Sequence, residues 1–130
     1  MPLSSEQTVQ FETQLGERAD QLRSEIRSTL ERSSDETHVR IAERARDIED
    51  DSFSNLIVDL NFAEIERDAE ELRRIDEALL RLRSGAYGDC INCRQPISLA
   101  RLEAEPTAAR CIVCQEHYEK THASGVTPSL

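Results

Sequence analysis

Residues 86–120 read AYGDCINCRQPISLARLEAEPTAARCIVCQEHYEK, and this stretch decides the architecture. Its cysteines, Cys90, Cys93, Cys111 and Cys114, are the only four in the chain and follow the pattern C-x2-C-x17-C-x2-C. That is the spacing of a structural zinc site. Each C-x-x-C turn presents two thiolates from one tight knuckle, and two knuckles close a tetrahedral shell around one Zn²⁺. Four protein ligands leave no open position for water or substrate, so the expected metal is structural. A pair of disulfides is the alternative, and it needs an oxidising compartment. A thioredoxin-like redox pair needs a βαβ setting that neither cysteine pair has. His117 lies three residues after Cys114, but with four cysteines available it is not needed as a ligand.

Working outward, the residues before the cysteines form two helical stripes. Phe11, Leu15, Ala19, Leu22, Ile26 and Leu30 recur at steps of three and four from about Ser5 to Ser33. Val58, Ile65, Leu72 and Leu79 recur every seven residues from a start near Phe53, widened by Phe62, Ala69, Ile75 and Leu82. Ser84-Gly85 supplies a glycine stop. Each stripe is narrow. No third long amphipathic helix exists to complete a bundle, so an antiparallel coiled coil within one chain is preferred. Its seam is expected to be partly exposed. Thirty helical residues span about 45 Å, so the hairpin projects as a finger.

The expected fold is therefore mainly α. An antiparallel two-helix coiled-coil hairpin spans 1–84, with its tip at about 34–52. A four-cysteine zinc module with a short C-terminal helix, ending near Thr121, spans 85–122. A disordered tail fills 123–130. In the tip segment, Val39, Ile41, Ala42 and Ala45 suggest a short extra turn of helix, with Ser33 and Glu36 as a capping box. The end of that segment is acidic through Glu43, Asp47, Glu49, Asp50 and Asp51. On charge alone it is a solvated turn. Its position at the end of a finger raises a functional alternative.

Composition narrows the function classes. Of 130 residues, 32% are charged, 4% are aromatic and none is tryptophan, which suits thin helical seams and a metal staple better than a thick core. The net charge of −10 argues against a general nucleic-acid binder, which needs a basic face for phosphate. The N-terminal MPLSSEQTVQFETQ has neither a basic n-region nor an apolar h-region, and no window reaches 18 apolar residues. The expectation is a cytoplasmic protein without membrane contact. A zinc enzyme of the deaminase type needs an open ligand position and an H-x-E motif, and neither is present.

The zinc stretch carries more than spacing. Gly85-x-Tyr87-Gly88-x-Cys90-x-x-Cys93, Ile97, Arg101-Leu102-Glu103-Ala104-x-Pro106-Thr107-Ala108 and Cys111-Ile112-x-Cys114-Gln115-Glu116 resemble the zinc signature of the DksA/TraR family. The preceding hairpin is similar to that family's coiled coil. The resemblance implies a non-enzymatic, monomeric regulator that binds bacterial RNA polymerase directly. It implies a coiled coil inserted into the secondary channel, with initiation altered without sequence-specific DNA contact. The other reading is an adaptor whose coiled coil and zinc module hold a different partner.

The family's tip motif, Asp-x-x-Asp-x-Ala, falls on Asp47, Asp50 and Ser52 when counted back without gaps from Cys90. Ser52 replaces the alanine. Arg67 falls where the family has an arginine facing the polymerase rim. Among the family's basic contacts to the alarmone guanosine tetraphosphate, Arg74 matches one, while Glu105 and Gln115 stand at two others. A carboxylate where phosphate docks has the wrong sign. The alarmone is therefore a doubtful partner, and Arg94, Arg101 and Arg110 are not expected to face the same side and compensate. Arg94 also replaces the glycine that usually follows the second cysteine.

Overall fold

A computed structural model describes residues 3–32, 36–46 and 63–126. Helix α1 (Ser5–Glu31) starts on a capping box, in which Ser4 Oγ accepts from the Gln7 N–H at 3.1 Å and Gln7 Oε1 accepts from the Ser4 N–H at 2.9 Å. Helix α2 is Glu36–Arg46 and α3 is Ala63–Ser84. The short α4 (Leu99–Ala104) is capped by Ser98, and α5 is Ile112–Val126. Among the described residues the only strand-like pairing is an isolated antiparallel bridge between Asp89 and Pro96.

All six apolar residues of the first stripe are buried on α1, and α1 packs along α3. Phe11 meets Tyr87 beyond the end of α3, while Arg18 meets Glu71 mid-helix, so the two helices run in opposite directions. The facing side of α3 buries Ile65, Ala69, Leu72, Ile75 and Ala78. Phe53, Val58 and Phe62 lie outside the described residues. The seam is closed along its middle, where Leu22, Ile26, Leu30 and Leu72 retain no accessible surface, and partly exposed towards the base, where Leu79 and Leu82 are only partly buried. Flanking side chains account for the closure. Arg23 is buried alongside the stripe, Nε and one terminal nitrogen of its guanidinium included, with the guanidinium 3.7 Å from Asp20. Arg18 spans the helices with a two-point pair to Glu71, at 2.7 and 3.0 Å.

Two further differences from the sequence reading concern helix length. The extra turn expected in the tip segment is an 11-residue helix, α2, packed on α1 with Ala42 fully buried. Ser33, the proposed cap, lies outside the described residues. At the C-terminal end, α5 continues past Thr121 to Val126 and takes in part of the segment assigned to a disordered tail.

Helix α3 ends in a Schellman motif. Gly85 takes φ +80°, its N–H donates to the Leu82 carbonyl, and the Ala86 N–H reaches the Arg81 carbonyl at 2.8 Å. The chain then turns into the zinc module, whose own core is Tyr87, Ile97, Leu102 and Ala108. That core is continuous with the hairpin. The Phe11 and Tyr87 rings are 5.6 Å apart, and Leu3 packs on Gly88 so closely that a Cβ there would sit 3.2 Å from Leu3 Cδ1.

Candidate metal centre and the adjoining groove

Two backbone turns build the metal centre. In the first, the Arg94 N–H donates to the Cys90 carbonyl at 3.0 Å, and in the second the Gln115 N–H donates to the Cys111 carbonyl at 2.9 Å. The second turn is also the first turn of α5, so a helix fixes Cys114 relative to Cys111. The Ile91 N–H donates to the Ala109 carbonyl at 2.9 Å and holds the two knuckles face to face.

The four sulfur atoms lie within 4.8 Å of one another, and Cys93 Sγ is 3.8 Å from Cys111 Sγ. A tetrahedron of Zn–S bonds of about 2.3 Å has sulfur–sulfur edges of about 3.8 Å. Backbone donors are arranged for thiolates. The N–H groups of Asn92 and Cys93 point to Cys90 Sγ at 3.4 and 3.5 Å, and that of Cys114 points to Cys111 Sγ at 3.5 Å. Burial acts to raise the Cys90 pKa, but N–H groups of Cys93, Cys111 and Asn92 outweigh it and bring it down to about 6. Hydrogen bonding among the thiols of Cys111 and Cys90 pushes Cys114 the other way, to about 12. Four thiols this close shed their protons together only when a cation takes up the charge. The residues fit one structural zinc, with all four positions filled by cysteine. Among the described residues no histidine joins this cluster, and His117 is exposed.

Arg94 takes φ +65°, the left-handed conformation that glycine adopts freely. For a residue with a Cβ that conformation costs on the order of 1 kcal/mol.

The remaining residues singled out by sequence fall in three places. Asp47, Asp50 and Ser52 lie outside the described residues. Arg67 is exposed on α3. Arg74, Glu105 and Gln115 come together, lining one groove of about 770 Å³ between α3 and the zinc module. Arg101 and Arg110 line the same groove, which corrects the expectation that they face elsewhere. The cause is backbone tethering: Arg101 Nε donates to the Arg110 carbonyl at 3.0 Å, and the Arg110 guanidinium stacks 3.8 Å above the Tyr118 ring. Arg94 does not line it.

Sequence reasoning missed Arg81 and Tyr118 in this groove. Arg81 is seven residues after Arg74, as Arg74 is after Arg67, so heptad spacing places all three on one face of α3. Burial lowers the Arg81 pKa, and its guanidinium donates to the Thr107 carbonyl at 3.4 Å. Arg73 is already engaged by Glu70 and Glu77. Arg81, Arg101 and Arg110 make no ion pair with a described residue.

Comparison with known proteins gives a consistent picture. Residues 85–120 match the prokaryotic dksA/traR C4-type zinc finger. The RNA polymerase-binding transcription factor DksA of Caulobacter vibrioides is 36% identical over 98 residues, covering 74% of this chain and 64% of the relative. The protein of the same name in Escherichia coli K12 is 29% identical over 96 residues, 74% of this chain and 60% of the relative. The chain thus spans somewhat less than two thirds of the length of these relatives. Among solved structures, the transcription factor DksA2 of Pseudomonas aeruginosa aligns at 31% identity and a TM-score of 0.61, covering 92% of this chain and 88% of that one. The Dks protein of Chlamydia trachomatis shares the fold at 24% identity and a TM-score of 0.55. A helical hairpin closed by a four-cysteine zinc module, matched along nearly its whole length by DksA2, makes this chain a member of the DksA/TraR family.

Proposed function

We propose that this protein is a non-enzymatic cytoplasmic transcription regulator that binds bacterial RNA polymerase directly and delivers its hairpin into the secondary channel to modulate initiation. The observation that carries this reading is the end-to-end likeness to a transcription factor of the same architecture. The relatives are named as RNA polymerase-binding factors. The form also suits the task. Helix α1 has 27 residues and is about 40 Å long, and the middle of its seam is closed. The net charge of −10 suits an intruder with no phosphate-binding face.

In this reading Asp47 and Asp50 act at the delivered tip, Ser52 adjoins them, and Arg67 contacts the rim of the channel. The zinc is structural and sets the finger's base. Guanosine tetraphosphate is not required. The groove that holds Arg74 is lined by five arginines and four glutamates, a net charge of only +1, and Glu105 sits among them. That balance is thin for a ligand carrying two pyrophosphates.

The test is in vitro transcription with purified polymerase, together with competition against another factor that occupies the secondary channel. Asp50→Asn is expected to bind polymerase like wild type and to lose the regulatory effect. A chain that binds without competing is an adaptor, and one whose Asp50→Asn variant regulates normally does not work through its tip.

A further inference from the structure

The first zinc knuckle carries a side chain that neither the metal nor the fold uses. Residues 91–96 are all exposed, an uninterrupted run that ends at the buried Ile97. Arg94 sits within it at φ +65°, and its backbone N–H closes the knuckle onto the Cys90 carbonyl. Glycine fills such a turn without steric cost, so the turn itself gives no reason for an arginine. The guanidinium of Arg94 makes no hydrogen bond or ion pair with any described residue. Strain retained under an unengaged charged group points to a role outside the chain.

Its surroundings indicate the partner's chemistry. From Cys90 to Leu102 there is no acidic residue, in a chain with 26 of them, and the run carries Arg94 and Arg101. Ile91, 45% exposed, faces the groove that Arg94 does not line. Asn92 Oδ1 accepts from Arg110 Nε at 3.0 Å, which ties the knuckle to a third arginine. The knuckle thus presents one cation without a described partner, Arg94, on a run free of carboxylates from residue 90 to 102, with Asp89 bridged to Pro96 at its edge.

We propose that this knuckle is a second docking point, at which Arg94 pairs with a carboxylate on an acidic protein surface of the polymerase. The inference rests on the polymerase reading above. A planar guanidinium matches a carboxylate in a two-point pair. Nucleic acid is disfavoured, because the chain's charge of −10 repels a phosphate polymer and this patch offers too few cations to offset it.

The decisive variant is Arg94→Gly, which keeps the turn and removes the guanidinium. Binding of wild type, Arg94→Gly, Arg94→Lys and Arg94→Glu to core polymerase is measured at two salt concentrations, with zinc content and melting temperature recorded in parallel. Arg94→Gly is expected to keep its zinc, to melt no lower than wild type, and to bind about tenfold more weakly with a flatter salt dependence, as loss of one charge-assisted pair requires. Arg94→Lys is expected to fall between, and Arg94→Glu to bind most weakly. Equal binding by wild type and Arg94→Gly overturns the proposal. Lower stability or lost zinc in Arg94→Gly also overturns it, because the arginine is then structural. A difference that arises only when promoter DNA is added assigns the contact to phosphate and overturns it too. Wild type that fails to bind polymerase removes the functional reading itself, and this inference with it.

Discussion

Leu72→Ala tests whether the hairpin stands on a true core. Leu72 lies near the middle of α3 and retains no accessible surface. Truncation to alanine removes three carbons, worth about 2.4 kcal/mol at about 0.8 per methylene. A cavity term adds to this, because the seam cannot collapse freely. The Arg18–Glu71 pair spans the helices at the adjacent residue and holds their separation. The expected cost is about 3.5 kcal/mol, near the middle of the range for buried leucines. A partly exposed seam would give the low end.

The assay is urea unfolding at saturating zinc, followed by far-UV circular dichroism. With a slope of about 1.5 kcal/mol per molar, the midpoint should fall by about 2 M. Leu80→Ala is the internal control. Leu80 is eight residues further along the same helix but 59% exposed, so its truncation should cost less than about 0.5 kcal/mol. If Leu72→Ala costs no more than that, or Leu80→Ala costs as much, the helices do not pack as described.

Two other outcomes follow from the zinc module. Removing zinc with a chelator, or replacing Cys111 by serine, should unravel residues from about Gly85 to Glu116 and leave the hairpin helical, because ligation energy is folding energy in so small a unit; metal analysis with circular dichroism reads this, and an ordered metal-free module would contradict it. Alkali should weaken the fold through Tyr87, which burial raises from 10.0 to about 12. The unfolded chain gives up that proton first, so the contribution is intact below pH 10 and is lost between pH 10 and about 12, at most about 2–3 kcal/mol. Urea melts of wild type and Tyr87→Phe across that window should show the decline in wild type alone.

The parts of this structure that could be read from sequence are those set by spacing. The cysteine pattern needs only two tight turns to become a metal shell, and the α1 stripe needs only a 3.6-residue period. What escaped was set by tertiary contact. Arg23 interrupts the apolar pattern, yet the whole side chain, guanidinium included, is buried beside the seam. Tyr87 reads as part of a zinc signature, but its ring packs on Phe11 and its hydroxyl donates to the Pro106 carbonyl at 2.7 Å. No local pattern announces a contact 76 residues apart in the chain.

The groove shows why the sign of a site is harder to read than its position. Matching the family's alarmone contacts residue by residue places Glu105 where a basic group stands and concludes that phosphate is repelled. The fold adds Arg81 from two turns along α3, and Arg101 and Arg110 from the zinc module. Tethers to backbone carbonyls and to Asn92 hold all three in place, so part of each guanidinium is committed to structure. Arg110 is further occupied by the Tyr118 ring. The groove is therefore less hostile to an anion than Glu105 alone suggests, and less welcoming than its five arginines suggest. Arg101 lies between Cys93 and Cys111 and Arg110 beside Cys111, so if chelation unravels the module as expected, both arginines leave the groove with it. On that expectation the charge pattern of the groove depends on the same metal shell as the shape of the module.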